Sequence, residues 1–375
     1  MPYVEAIAAE LQLIGPSPGL PCREGVVTNL DSTGDTFCSL PTREGGGRVF
    51  TTLYLGGGTP SQLTPEALQR LFLLVSQHTM LAPDAEITIE ANPDDVTPEW
   101  IDLLRDTPVN RISMGVQSLD DNILRTLRRR HTAQQAIRAV RLLQEAGYEN
   151  LSLDLIYGLP GQTLQQFATD VGQVLSLGIP HLSAYALQFE QGTQLYRMRE
   201  AGEISEADEE LSLSCYLTLI DLTQEAGLEH YEISNFARPG HRSRHNSSYW
   251  NDSPYTGLGA GAHSYDPQAH RRSFNCEDAK LYIESINEGR LPSETELLDD
   301  DTRYNERVML RLRTCEGLSL PDIERDFGPK RRQYCERMAA PHLLAGRVQK
   351  KAGEAICLTR QGLFVSDDII SDLMV

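Results

Sequence analysis

The sequence is poor in positive charge, in organised cysteine and in long apolar runs. Its 34 lysines and arginines face 53 aspartates and glutamates, for a formal charge of -19. Such a surface repels phosphate backbones and anionic lipid, which disfavours nucleic-acid and membrane-surface roles. The seven cysteines, at positions 22, 38, 215, 276, 315, 335 and 357, form no C-x-x-C pair and no close cluster. A cysteine-ligated metal centre is therefore not readable from their spacing, and an odd, scattered count points to reduced thiols instead of a disulfide framework. No run approaches the length of a membrane span, and the opening MPYVEAIAAELQLIG reads as an acidic amphipathic helix, without the positive start and apolar core of a signal peptide. These absences together give the expectation of a cytoplasmic protein with no membrane insertion and no nucleic-acid partner.

What is present is an ordinary globular composition, 40% hydrophobic and 23% charged over 375 residues, enough for one large domain and a smaller one. Residues 15–47 are rich in Gly, Pro, Ser and Thr without a period and read as a long loop. Short β-rich runs follow at 49–55, 86–91, 111–116, 151–157 and 182–188. Helical stretches at 64–78, 97–106, 119–127, 132–147 and 163–178 alternate with them. Thr64 and Thr97 stand before Pro65 and Pro98 as helix starts, and Gly147 and Gly178 as helix stops. Regular β/α alternation predicts an α/β fold with parallel strands closing into a partial TIM-like barrel, a doubly wound open sheet being the alternative. A long helix spans about 205–226, and HYEISNFA at 230–237 reads as one further edge strand. Residues 296–375 are nearly neutral and run helix, helix, helix, strand, strand, a small helical, winged-helix-like C-terminal domain; the weak charge gives little support to DNA binding. The expected division is 1–240, 241–295 and 296–375.

Ligand groups in such a barrel gather where strands end at their carboxyl side. The first run ends in Gly56, Gly57, Gly58 and Thr59, where missing Cβ atoms let a ligand touch the backbone. The second ends at Glu90, the third at Gln117, and the fourth carries Asp154. This polar mouth suits a zwitterionic, hydroxyl-bearing ligand. Each feature has a plainer alternative: GGG as a tight turn, Glu90 and Asp154 as partners of Arg111 and Arg129, and the run Arg125, Arg128, Arg129, Arg130, His131 as a solvated helix end. A second cluster at 241–265 holds His241, His245 and His263 among Tyr249, Trp250, Tyr255 and the glycines 257, 259 and 261. Imidazoles, flat aromatic faces and a collapsible glycine strand suit a planar iron-bearing ligand, the alternative being ordinary hydrogen-bonded histidines. The glycine spacing is not that of a dinucleotide site.

LGGGTPSQL (55–63), ITIEANP (87–93), NRISMGVQS (110–118), LDLIYGLPGQT (153–163), YEISNFARPG (231–240), HNSSYW (245–250) and GLGAGAHS (257–264) resemble, in this order, the radical S-adenosylmethionine (SAM) proteins of the oxygen-independent coproporphyrinogen oxidase family. Within it the sequence is most similar to the heme chaperone branch, HemW. The resemblance runs from residue 3 to the end. It implies a partial (β/α)6 barrel with a small helical C-terminal domain. It also implies that Gly57, Gly58 and Thr59 hold the amino-acid portion of SAM, with Glu90, Gln117, Arg129, Asp154 and, as a weaker assignment, Ala186 completing the site. His245, in the H-N-x-x-Y-W motif, becomes a heme-site candidate.

The resemblance also implies a [4Fe–4S] cluster on a C-x-x-x-C-x-x-C loop preceded by a strand. Here the chain opens at PYVEAIAAEL, which resembles the helix after that loop, and Cys22 and Cys38 do not reproduce the spacing. The expectation is that the reading frame upstream of Met1 encodes the missing strand and loop, the alternative being a decayed copy. Three functions follow from the resemblance. The first is a chaperone that binds heme and passes it to acceptor proteins; the second is a coproporphyrinogen III oxidase; the third is an inactive truncated barrel. HNSSYW favours the first.

Overall fold

The computed structural model describes residues 2–14 and 49–375. The expected 15–47 loop, Cys22 and Cys38 lie outside the described residues. The described chain divides into two compact units. One comprises residues 1–53, 63–86 and 254–297; the other 54–62, 87–253 and 298–375. These boundaries differ from the expected breaks at 240 and 295. Residues 254–297 group with the N-terminal helix, while 241–253 and 298–375 group with the barrel strands.

In the first unit, helix α1 (Pro2–Ile14) buries Val4 and Ala8 against Ala67 and Leu74 of α2 (Pro65–His78). Ala6 packs on Tyr282 and Ile286, which belong to a later helix, Ala279–Asn287. The remainder is a three-stranded antiparallel sheet of His263–Asp266, Arg271–Asn275 and Ser293–Leu297. A buried carboxylate clamps these pieces. Glu10, 1% exposed, accepts from Gly259 N at 2.8 Å, Asn275 Nδ2 at 2.6 Å and the Tyr282 hydroxyl at 2.6 Å. A carboxylate carrying three donors is a stable buried group.

A seven-stranded sheet follows the period-two runs of the sequence. Its first five strands are β1 (Val49–Leu55), β2 (Met80–Ala91), β3 (Arg111–Gln117), β4 (Leu151–Tyr157) and β5 (His181–Ala186). They stand side by side in sequence order, and β2 through β5 pair in parallel. The expected caps are in place, Thr64 accepting from Ala67 N at the start of α2 and Thr97 from Trp100 N at the start of the next helix. After α3 (Pro98–Arg105) and α4 (Asp121–Thr126), α5 (Ala133–Glu145) and α6 (Leu164–Ser176) each open with a full capping box, from Thr132 with Gln135 and from Thr163 with Gln166. Two elements come next, α7 (Gln194–Glu200), which the periodicity does not signal, and α8 (Glu209–Glu225), capped by Asp208.

The sheet is a curled half-barrel, and its last part corrects one expectation. HYEISNFA is not one strand but a hairpin, β6 (Glu229–Glu232) and β7 (Asn235–Ala237), with β7 antiparallel to β5. The chain turns back at Ile233 and Ser234, just after an irregular register between His230 and Glu232. Alternation along β3, β4 and β5 turns Arg111, Ser113, Gly115, Ser152, Asp154, Ser183 and Tyr185 to one face. At the amino end of that face, His181 bridges Ser152 at 2.7 Å and Tyr231 at 2.8 Å, and buried Arg111 donates to Asn150 at 2.6 Å. Burial and the nearby Arg111 charge hold His181 well below the usual imidazole pKa.

Beyond α9 (Arg244–Trp250) the chain passes through the first unit and returns as the C-terminal domain. The helices met on the way are α10 (Ala279–Asn287) and α11 (Asp300–Leu312). The domain continues with α12 (Leu320–Phe327), α13 (Pro329–Leu344) and a small antiparallel sheet of Leu318–Ser319, Ala355–Leu358 and Val348–Lys351. It ends in two short helices, Arg360–Leu363 and Ser366–Leu373. Tyr304, Val308, Leu320, Ile323, Cys335 and Ile369 fill its core. No helix among the described residues is long and apolar enough to cross a membrane.

Candidate functional site

The carboxyl ends of β1 to β4 enclose a cleft of about 200 Å³, lined by Gly58, Thr59, Glu90, Asn92, Ser113, Gly115, Gln117, Arg129 and Asp154 among others. Six of the residues expected at the SAM site, Gly58, Thr59, Glu90, Gln117, Arg129 and Asp154, thus meet in one place, though they lie up to 96 positions apart in the sequence (154 − 58). Gly57 borders it through its N–H, which donates to Glu90 Oε2 at 3.2 Å. Ala186 ends β5 but does not line the cleft.

Each wall has a local cause. Gly57 takes φ +91°, a conformation that favours glycine, and Cβ atoms placed at Gly57 or Gly58 would meet nothing within 4 Å. The turn leaves an open face of backbone. Gln117 sits at φ +69°, rare for a residue with a side chain and costly by about 1 kcal/mol or more. Arg129 donates to Asn92 Oδ1 at 2.6 Å and to the Gly115 carbonyl at 2.9 Å, while its buried Nε has no hydrogen-bond partner. The alternative in which Arg111 and Arg129 pair with Glu90 and Asp154 does not hold. Arg129 bonds an amide and a carbonyl, and Arg111 bonds Asn150, its charge reaching Asp154 only as a weaker influence. Of the other basic residues in that run, Arg130 pairs with Asp94 at 2.9 Å and Asp95 at 3.2 Å.

Lost hydration at the floor of the cleft pushes the Asp154 carboxyl up to about 7, with Glu90 adding to the rise. Hydrogen bonds from Ser183 and Ser113 and the Arg111 charge oppose it without cancelling it. A carboxyl that is dehydrated and like-charged to its neighbour is poised for a cationic or hydroxyl-bearing ligand.

Period-two reading of β1 passes over Tyr54. Its hydroxyl donates to Glu90 Oε1 at 2.8 Å, and burial, followed by the Glu90 charge, keeps that hydroxyl protonated far above the usual phenol range. The signal for it was its place two residues before Gly56. A Cβ on Gly56 would lie 2.6 Å from the Tyr54 ring and 2.8 Å from Glu90 Oε1, so that glycine is required by the close fit of the two side chains. Tyr54 also stacks on His245, with ring centroids 4.7 Å apart and planes at 20°. His245 Nε2 lies 3.0 Å from the Tyr249 hydroxyl on the same short helix, α9. At the other end of α9, Arg313 lies over the Trp250 ring at 5.4 Å, and Arg307 pairs with Asp252, fastening the HNSSYW segment to α11 and the residue after it.

Of the three histidines of the 241–265 window, His241 and His245 belong to the barrel unit and His263 to the other. The glycines there are structural. A Cβ on Gly257 would overlap the His263 carbonyl, and one on Gly259, at φ +103°, would come within 2.6 Å of the Tyr3 hydroxyl. At Gly257 and Gly259 the space of a side chain is filled by the chain itself.

Residues 43–173 match the Radical SAM superfamily and residues 298–365 the HemN C-terminal domain. The heme chaperone HemW of Lactococcus lactis is 37% identical over 276 residues, covering 74% of this chain and 72% of that protein. HemW of Mycobacterium tuberculosis is 35% identical over 324 residues, covering 86% and 80%. The chain belongs to the HemW family. Its fold is that of the HemN coproporphyrinogen III oxidase of Escherichia coli, with a TM-score of 0.79 at 22% identity over 100% of this chain and 82% of that one. The HNSSYW segment lies against the first strand of the sheet through the stacking of His245 on Tyr54.

Proposed function

We propose that this chain binds heme through His245 and passes it to acceptor proteins, with SAM occupying the cleft at the ends of β1 to β4. The observation that carries the reading is the setting of His245. Its imidazole is held between the Tyr54 face and the Tyr249 hydroxyl on a helix of a HemW-family chain. An imidazole nitrogen is a strong ligand for heme iron, and flat rings beside it suit a planar macrocycle.

The residues of the cleft fit SAM. Open backbone at Gly57 and Gly58, the unpartnered Arg129 Nε and the Thr59 hydroxyl suit its carboxylate, Glu90 its ammonium, and Asp154 its hydroxyls. In radical SAM proteins the bound molecule supplies a 5′-deoxyadenosyl radical when a [4Fe–4S] cluster reduces it. The described residues do not fit that cluster: no group of three or more metal-ligating side chains occurs among them, and Cys215, Cys276, Cys315, Cys335 and Cys357 are separate free thiols. What the chain's own residues do is orient and bind. Tyr54 and the Gly57 N–H fix both oxygens of Glu90, and Asn92 and the Gly115 carbonyl hold Arg129 in the cleft.

Hemin titration tests the reading. Wild-type protein is expected to shift the Soret band, His245→Ala to lose at least about tenfold in affinity, and hemin-loaded wild type to transfer its heme to an apo-heme protein. An equal shift in both proteins removes His245 from the site. Oxidase activity on coproporphyrinogen without heme transfer selects the alternative.

A further inference from the structure

We propose that Tyr54 is a positioning residue that couples the heme-candidate imidazole of His245 to the carboxylate of Glu90, so that occupancy of one site changes the affinity of the other. The proposal rests on the assignment of heme to His245 and of SAM to the cleft, and adds the connection between them.

The path is short and has no gap. His245 stacks on Tyr54 at 4.7 Å, Tyr54 donates to Glu90 Oε1 at 2.8 Å, and Glu90 Oε2 accepts the Gly57 N–H at 3.2 Å. It therefore runs from the imidazole to the glycine turn through one aromatic face and two hydrogen bonds. The middle of the path has no slack. Gly56 lies so close to the Tyr54 ring and to Glu90 that a methyl group there would overlap both. A displaced Tyr54 ring cannot keep its hydroxyl in place by bending alone, and Glu90 must turn with it.

Ligand chemistry acts on both ends. To ligate iron through Nε2, His245 must give up the contact with the Tyr249 hydroxyl and present that nitrogen to the metal, which changes its packing on Tyr54. A ligand ammonium at Glu90 needs the carboxylate lone pairs that Tyr54 and Gly57 leave over, so its affinity depends on how those two donors hold the group. Linkage then requires reciprocity, with hemin changing the SAM dissociation constant by the same factor as SAM changes that of hemin.

A double-mutant cycle tests this, with Tyr54→Phe, which keeps the ring and removes the hydroxyl, and His245→Ala. The readouts are SAM affinity by calorimetry, with and without hemin, and hemin affinity from the Soret band, with and without SAM. Far-ultraviolet dichroism serves as the check on folding. His245→Ala is expected to change SAM affinity at least threefold when Tyr54 is present and by less than half that factor in the Tyr54→Phe background. In wild type the two ligands are expected to alter each other's affinity by one common factor of threefold or more, and Tyr54→Phe to abolish it while hemin still binds. Additive single effects, or coupling that survives in Tyr54→Phe, overturn the proposal although both ligands bind. Failure of wild type to bind SAM or hemin at all overturns the underlying site assignment and the coupling with it.

Discussion

Two glycine-rich turns among the described residues have opposite uses. At Gly57 and Gly58 the missing side chains leave open space beside a carboxylate and an arginine. At Gly257 and Gly259 the missing side chains are replaced by the chain itself, by the His263 backbone and the Tyr3 hydroxyl. A buried carboxylate stands near each turn. Glu10, beside Gly259, is satisfied by three donors, whereas Asp154 keeps a proton up to about pH 7 because its surroundings do not compensate its charge. Composition does not distinguish a turn that binds from a turn that packs; the occupant of the space does.

The largest effect is expected on the packed side. Gly257→Ala drives a methyl group into the His263 carbonyl, which is backbone and cannot swing away, so a loss of about 3 kcal/mol or more is expected in denaturant unfolding. Glu10→Ala strands the Gly259 N–H, the Asn275 amide and the Tyr282 hydroxyl in a dry interior. The expected cost is about 3 kcal/mol. If either variant unfolds at the wild-type midpoint, the segment is not packed as described.

The open side should respond the other way. Gly58 has no positive φ and nothing near its missing Cβ, so Gly58→Ala is expected to keep stability within about 0.5 kcal/mol of wild type. The same methyl group occupies ligand space, and calorimetry is expected to show SAM affinity reduced by at least about tenfold, roughly 1.4 kcal/mol. Loss of stability without loss of binding would make the two turns alike and end the comparison.

How far the sequence revealed this differs between the two turns. Strand ends, caps and the polar mouth were legible because each is local: Thr64 and Thr97 each stand directly before a proline that opens a helix, and Glu90 and Gln117 stand at the ends of strand runs with Asp154 within another. The packing of Gly259 depends on Tyr3 and Glu10, about 250 residues away, which no window contains. The hairpin at 229–237 was hidden for another reason. The apolar pattern continues across Ile233, and the chain reverses at the two residues Ile233 and Ser234, too short a break for the pattern to show. Tyr54 escaped notice because a tyrosine in a strand is usually core; its role comes from Glu90, one strand over, and from His245 on a helix far along the chain.

A further test follows Asp154 through pH. Asp154 has its folded pKa raised to about 7, so the fold favours the protonated form. The stabilisation it contributes is complete below the ordinary carboxylate range and is lost as pH rises toward 7, after which it is constant. The unfolding midpoint of ligand-free protein should fall across that window more in wild type than in Asp154→Asn. Binding should run in the opposite sense. A ligand that needs the ionised carboxylate is expected to gain affinity as pH approaches 7, by at most about tenfold per unit, and to level off above it. Asp154→Asn should flatten the profile. A wild-type profile that falls between pH 6 and 7 would mean that the protonated carboxyl is the form the ligand uses, donating its proton instead of accepting one.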